Sequence, residues 1–130
     1  MKLRDAFTQK TYSILARVRL GGIGSSSKDG YVQGLASNGT WGGICADNFD
    51  INDANVICKM LGFASASAAL VTSTANDLYG IAPSGNNFVL TNLGCTGNET
   101  SIFDCPHPGE WNEDCDATEI AGVQCTTSEL

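Results

Sequence analysis

The sequence lacks the ligand spacing of a structural zinc site. It contains no Cys-x-x-Cys pair, and His107 is its only histidine. Zinc sites usually pair their ligands about two to four residues apart, because a short turn must aim both side chains at one tetrahedral ion. The six cysteines are instead widely spaced and all lie beyond residue 44. We therefore expect disulfides, and with them an oxidising compartment.

Basic side chains are also scarce. The chain has 7 Lys and Arg against 14 Asp and Glu, a formal net charge of -7, and Lys59 is the only basic residue beyond position 30. Binding of nucleic acid depends on Lys and Arg that displace counterions from phosphates, so we expect none by the domain body. A cationic protein partner is the easier electrostatic match. A polyanionic ligand would need a Ca²⁺ bridge or the basic N-terminal residues.

No stretch approaches the roughly 20 apolar residues that cross a bilayer, which predicts no direct membrane insertion. Residues 1–16 have no clear periodicity and lack the apolar core of a signal peptide, so we interpret them as a linker or lead outside the fold. If the protein is secreted, its signal was removed or lies upstream in a longer parent. With 130 residues, the chain has room for one ordinary domain.

Two Asn-x-Thr tripeptides are present, Asn38-Gly39-Thr40 and Asn98-Glu99-Thr100. Such tripeptides accept N-linked glycans on the surface of secreted proteins. They predict glycosylation at Asn38 and Asn98, which agrees with an extracellular location.

Two segments carry strong local signals. Asn38-Gly39 lies between two strand-like runs, residues 31–36 and 40–45, and this dipeptide favours a hairpin because both residues tolerate positive φ. Residues 52–61 have apolar side chains at helical spacing, with Asp50 or Asn52 as N-cap and Gly62 as the stop. The remaining predictions are strands at 17–20, 88–90 and 122–125, a short helix at 99–104, and a long loop over 64–87 with a helical turn near 67–71.

Several ordered motifs identify a resemblance. They are Val18-Arg19-Leu20-Gly21-Gly22, the run Gly39-Thr40-Trp41-Gly42-Gly43-Ile44-Cys45-Ala46-Asp47, the run Asp53-Ala54-Asn55-Val56-Ile57-Cys58, and Ala121-Gly122-Val123-Gln124-Cys125. Over about residues 17–126, with 127–130 as a tail, the chain resembles a scavenger receptor cysteine-rich domain of the six-cysteine, group A form. The resemblance implies a small disulfide-stapled α+β fold, in which a curved antiparallel sheet cradles one main helix, plus a short second helix.

The resemblance also implies the cysteine pairing and the class of function. The expected pairs are Cys45 with Cys115, Cys58 with Cys125, and Cys95 with Cys105. The family provides extracellular ligand-binding or spacer modules and is not known for catalysis. Two interpretations follow: a recognition module of the scavenger-receptor or innate-immune type, or an accessory domain of a larger secreted enzyme such as a serine protease or a lysyl oxidase-like protein.

Many members of the family bind calcium through an acidic cluster. Asp47 and Glu119 match its positions, whereas Ala46 replaces one expected aspartate. Asp50, Asp114 and Asp116 would be drawn nearby by a disulfide from Cys45, and Ca²⁺ favours several such oxygens. This crowding of like charge predicts raised carboxyl pKa values. The plainer alternative is that these acids are solvated and that Asp50 only caps the helix.

A second family calcium site is less complete in this sequence. Its paired aspartates are replaced by Thr91 and Asn92, so that Asn92, Asn98 and Glu99 would have to supply the oxygens. Asn98 is also the glycosylation candidate described above.

Nothing in the sequence marks a catalytic site. His107 lies between Pro106 and Pro108, which favours a structural role over that of a general base. Glu110, Glu113 and Asp114 are acids with no pattern that points to glycoside cleavage. We therefore expect a non-enzymatic protein.

Overall fold

The computed structural model describes residues 17–80, 88–111 and 115–128. Residues 1–16, which the sequence suggests are a lead, lie outside the described residues. The described elements are strands β1 (Val18–Gly21), β2 (Asp29–Leu35), β3 (Trp41–Ile44), β4 (Ala66–Leu70), β5 (Phe88–Leu90) and β6 (Gly122–Cys125), helices α1 (Ile51–Met60) and α2 (Thr72–Tyr79), and short 3₁₀ turns at Ile102–Asp104 and Ala117–Glu119.

The six strands form one sheet in the order β4-β6-β2-β3-β5, and β1 pairs with β2 outside this path. All pairs are antiparallel except β3 with β5, which is parallel. The predicted small α+β fold, with a curved antiparallel sheet and one main helix, is confirmed, and only this pair departs from the antiparallel arrangement. Parallel neighbours need a long crossover, and here α1, β4 and α2 lie between β3 and β5 in the chain.

The predicted hairpin is confirmed. β2 and β3 pair with Leu35 opposite Trp41, and Gly39 in the turn has a φ of +87°. The side chain of Asn38 accepts a hydrogen bond from the Thr40 N–H at 3.0 Å, which closes the turn locally.

Helix α1 is confirmed, with Asp50 as its N-cap. Asp50 Oδ1 accepts from the N–H groups of Asn52 and Asp53, and Asp53 accepts in return from the Asp50 N–H. This reciprocal capping satisfies N–H groups that have no partner within the helix. The helix packs against β4 and β6.

Two predictions were wrong. Residues 64–87 were expected to form a loop with a helical turn near 67–71, but they contain strand β4 and helix α2. The last residues of this segment, 81–87, lie outside the described residues. The helix expected at 99–104 is only a 3₁₀ turn, Ile102–Asp104. The carboxylate of Glu99 accepts from the backbone N–H groups of Thr96 and Gly97, so its segment forms a side-chain-closed loop and not a helical turn.

The core lies between the sheet and α1. Val32, Ile44, Ile57, Val89 and Leu90 have no exposed surface. A second buried group beside α2 includes Tyr79, Phe88 and Ile120. Burial of such side chains is the main favourable contribution to folding, at roughly 1.5–3 kcal/mol each.

Candidate functional site

Three disulfides connect segments that are far apart in sequence. They join Cys45 to Cys115, Cys58 to Cys125, and Cys95 to Cys105, with Cα–Cα distances of 6.2, 5.5 and 4.8 Å. These are the pairs that the resemblance implies. The Cys58 bridge attaches α1 to β6, and the Cys45 bridge attaches the end of β3 to the segment before β6.

The Cys45 disulfide lies where the predicted acidic residues meet. Next to it, Cys45 forms an antiparallel bridge with Ile120, and the Ala46 N–H donates to the Glu119 carbonyl oxygen at 2.7 Å. Asp47 and Glu119 therefore lie on two backbone segments that are paired with each other. We call Asp47, Asp50, Asp116 and Glu119 the acidic site.

A carboxylate oxygen of Asp47 lies within 4.8 Å of the sulfur atoms of Cys45 and Cys115. These sulfurs are joined in a disulfide, so they do not act as thiolate ligands. Among the residues that the structure describes, no three carboxylates approach one another within this distance. Asp114 lies outside the described residues.

Asp116 and Glu119 are organised by their own backbone. Asp116 Oδ1 accepts from the N–H and hydroxyl groups of Thr118, and Glu119 Oε1 accepts from the Asp116 N–H at 2.8 Å. The hydrogen bonds from Thr118 lower the pKa of Asp116. The raised pKa predicted from crowding is therefore wrong for Asp116, because the two donors of Thr118 outweigh the desolvation of the carboxylate.

The acidic site fits calcium in the chemistry of its donors. Its side chains offer carboxylate oxygens, the hard ligands that Ca²⁺ prefers. Within the described part of the chain, Asp116 Oδ2 and Glu119 Oε2 accept no hydrogen bond, and Asp47 and Asp50 are exposed. To hold the ion, Asp47, Asp116 and Glu119 would have to turn toward one another, since their three carboxylates do not lie within 4.8 Å of each other, and water would supply the ligands that the protein does not.

Asp50 caps α1 through its Oδ1, as the alternative interpretation of the acidic residues predicted. Asp53, three residues after Asp50, has a structural role that the sequence reasoning missed. Asp53 is fully buried, and it accepts from the Asp50 N–H at 2.9 Å and from the Cys95 N–H at 3.1 Å. It therefore holds the start of α1 against the loop of the Cys95–Cys105 disulfide. An acid three residues after an N-cap is the capping-box signal that could have found it.

Burial raises the pKa of Asp53 to about 6, and the nearby Asp50 carboxylate adds to the rise, although the two backbone N–H donors oppose it. The buried carboxylate thus costs stability while it is charged.

The residues predicted for a second calcium site, Asn92, Asn98 and Glu99, each take part in hydrogen bonds within the protein. The Asn92 side chain accepts from Asn48 Nδ2 at 2.6 Å. Glu99 accepts from Thr96 and Gly97 through its carboxylate, and these bonds lower its pKa. Asn98 is exposed, and its N–H donates to Thr96 Oγ1 at 3.4 Å.

Both ring nitrogens of His107 are engaged with the backbone. Nδ1 accepts from the Gly109 N–H at 3.0 Å, and Nε2 lies 3.3 Å from the Phe103 carbonyl oxygen. An Nδ1 that accepts requires Nε2 to carry the proton, so the neutral ring donates to Phe103. This supports the structural role and leaves no basic nitrogen for a nucleophile.

In the ranges that the structure describes, no helix is both long and apolar enough to cross a membrane.

Comparisons with known proteins identify the family of this domain. A model of the scavenger receptor cysteine-rich domain matches residues 23–126. Lysyl oxidase homolog 2 of Homo sapiens is 42% identical over 110 residues, which cover 85% of this chain and 13% of that protein. A scavenger receptor cysteine-rich domain superfamily protein of Patiria pectinifera is 40% identical over 102 residues, which cover 78% of this chain and 8% of that protein. The chain therefore spans only a small part of these curated relatives.

A solved structure of the same family has the same fold. The third such domain of murine neurotrypsin superposes with a TM-score of 0.68 at 33% identity, and covers 83% of this chain and 94% of that one. In the family the domain itself is a non-catalytic module, found in secreted proteins and in extracellular parts of larger proteins. This chain belongs to the scavenger receptor cysteine-rich family.

Proposed function

We propose that this domain is a non-catalytic extracellular recognition module that forms one part of a larger protein and contacts a protein partner through its acidic site. The observation that carries the proposal is the joining of two acidic segments by the Cys45–Cys115 disulfide and the adjacent backbone pairing. The disulfide and the sheet keep this surface in one shape. A preorganised surface loses less conformational entropy when it binds.

Charge favours a cationic partner at this surface. The segments 45–58 and 115–128 contain no Lys or Arg, so nothing in them would repel basic side chains. A polyanionic ligand would be repelled unless a divalent cation bridged it to the carboxylates. Calcium would bind here with the modest affinity of extracellular modules, on the order of 10⁻⁴ to 10⁻³ M.

The relatives favour an accessory role within a secreted enzyme. Human lysyl oxidase homolog 2 and lysyl oxidase homolog 3 share 42% and 37% identity with this chain across 110 residues. In such a setting the domain would position a catalytic neighbour or attach it to matrix, without contributing catalytic residues. The folded unit would comprise residues 17–126, with 1–16 as a lead and 127–130 as a tail. A role in innate-immune clearance is the alternative.

A calorimetric titration with Ca²⁺ tests the cation at the acidic site. We expect binding in the millimolar range by the full chain and a rise in melting temperature, since a ligand at about ten times its Kd stabilises by about 1 kcal/mol. Asp47→Ala should abolish both effects, whereas Asp77→Ala, on the exposed side of α2, should retain them. No heat and no thermal shift at millimolar calcium would end the calcium proposal.

The ligand class can be separated with the same protein. Capture on immobilised heparin, on bacterial surfaces and on a basic protein, each with and without Ca²⁺, distinguishes a bridged polyanion from a cationic partner. Heparin binding that increases on chelation would contradict a calcium bridge.

Glycosylation at Asn38 and Asn98 remains a proposal. Both side chains are exposed, Asn38 at the tip of the β2–β3 hairpin and Asn98 in the Cys95–Cys105 loop. Intact mass before and after removal of N-glycans, with Asn38→Gln and Asn98→Gln variants, tests each site separately.

A further inference from the structure

An open groove of about 520 Å³ runs along strand β1. Its volume lies within the range of ligand sites in proteins. The lining is mostly apolar and contains one charged side chain, that of Arg19. The groove therefore offers a single positive charge beside apolar surface, which suits a ligand that is anionic at one end and apolar along the rest.

The groove bends around the edge of the sheet. In the described part of the chain β1 pairs with β2 alone. Arg19 and Trp41 lie on one face of the sheet, because their partners in β2 are two positions apart. Leu20 points to the opposite face, where it and Leu61 pack against the main core. Since both faces contribute to one groove, an occupant must bend around β1, which a flexible chain can do and a regular strand or helix cannot.

Arg19 is the charged end of the groove, and its guanidinium is held in place. The guanidinium lies 4.1 Å from the centre of the Trp41 ring, and its Nε donates to the Gln33 side chain at 2.8 Å. Its two terminal nitrogens have no hydrogen-bond partner among the described residues. A planar guanidinium with both terminal nitrogens available matches the two oxygens of a carboxylate. The head group that fits this end is therefore a carboxylate.

Charge directs an anion to this part of an otherwise acidic domain. The chain has a formal net charge of -7, yet Arg17, Arg19 and Lys28, three of the four basic residues in the described ranges, lie in or beside β1 and the loop that leads to β2. Arg17 already contacts Glu110, at 3.7 Å, and neither Arg17 nor Lys28 lines the groove. Arg19 is thus the basic side chain that an anion in the groove would meet.

We propose that this groove binds a free fatty acid. The carboxylate pairs with Arg19, and the acyl chain passes over β1 to reach Leu20 and Leu61. Burial of the chain supplies affinity, roughly fourfold for each methylene group. A sulfated glycan would offer charge without an apolar chain and would leave Leu20 and Leu61 uncovered. The acidic site takes no part in this binding, so this proposal and the proposed function fail separately.

The test is an NMR titration of the full chain with dodecanoate, kept below the concentration at which it forms micelles. We expect shift changes at the amides of Arg19, Leu20 and Leu61 and at the indole N–H of Trp41. Octanoate, whose chain is shorter by four methylene groups, should bind at least about tenfold more weakly, because each buried methylene contributes roughly fourfold.

One substitution tests the head group. Arg19→Gln should weaken dodecanoate binding about tenfold, the effect of losing a charge-assisted hydrogen bond. Lys28→Gln is the matched control, since it removes the same charge from the adjacent loop but lies outside the groove lining, and it should bind as the wild type does. Equal weakening by the two substitutions would show a general charge effect and would contradict the proposed site.

Spin-labelled fatty acids test the path of the chain. A nitroxide near the end of the acyl chain should broaden the Leu61 amide signal more than the Trp41 indole signal, and a nitroxide near the carboxylate should do the reverse. Broadening by the tail label that spares Leu20 and Leu61, or octanoate binding equal to that of dodecanoate, would contradict the proposal. Binding that begins only when micelles form would also overturn it, because it would show adsorption to an aggregate.

Discussion

The buried carboxylate of Asp53 predicts an unusual dependence of stability on pH. Its pKa in the folded protein is about 6, against an ordinary value of 3.8. Because the folded state binds this proton more tightly than the unfolded state does, the group favours folding at low pH, and this contribution is lost as the pH rises through 6. Asp53→Asn removes the titration and keeps the shape of the side chain.

The two pKa values set the size of the effect. Between pH 7 and pH 5 the folded protein takes up most of one proton at Asp53 and the unfolded chain takes up almost none. Linkage then gives a gain in unfolding free energy of about 1 kcal/mol on acidification, or about 4 °C in melting temperature for a domain of this size. Carboxyls other than Asp50, which interacts with Asp53, contribute equally to wild type and variant, so they cancel in the difference.

The assay is urea unfolding of wild type and Asp53→Asn at pH 7 and pH 5. The wild type should gain about 1 kcal/mol relative to the variant on acidification. Asp104→Asn, on an exposed turn, is the matched carboxylate-to-amide control and should leave the wild-type pH dependence in place. Parallel curves for wild type and Asp53→Asn would refute the raised pKa. The absolute stability of Asp53→Asn is compared separately, because its single amide oxygen can replace only one of the two carboxylate oxygens that accept from the Asp50 and Cys95 N–H groups.

Two further perturbations test the scaffold. Replacing Cys58 and Cys125 by alanine removes a cross-link with a sequence separation of 67 and should lower the free energy of unfolding by about 4 kcal/mol, seen as a lower melting temperature. If the wild-type protein is reduced and all its thiols are labelled, an unchanged melting curve would contradict the disulfide framework. Gly22→Ala should cost more than Gly39→Ala in denaturant unfolding, although both have positive φ: a Cβ at Gly22 would lie 2.6 Å from the Tyr79 carbonyl oxygen, and one at Gly39 would meet nothing within 4 Å. Equal losses would contradict the close packing at Gly22.

The elements that sequence predicted well are those with local causes. The Asn38-Gly39 turn and the Asp50 cap determine backbone conformation through neighbouring atoms, so a few adjacent residues are enough to predict the hairpin and α1. No local feature of the sequence identifies which cysteines pair. The pairs came from the resemblance, because six cysteines allow 15 pairings.

The elements that sequence missed depend on distant partners. Strand β4 is made of alanine and serine with one leucine, residues with little preference for strands, and it exists because it pairs with β6. Asp53 was missed as a connecting residue because its second donor, the Cys95 N–H, is 42 positions away. The parallel pairing of β5 likewise follows from the crossover that precedes it.

Recognition of a cationic partner by the acidic site can be measured without knowing the natural ligand. A titration of a blocked lysine-rich peptide into the full chain, with Asp47→Ala and Asp77→Ala as test and control, measures this directly. We expect salt-sensitive binding that Asp47→Ala weakens and Asp77→Ala retains. Binding that is unchanged by Asp47→Ala, or absent even at low salt, would contradict it.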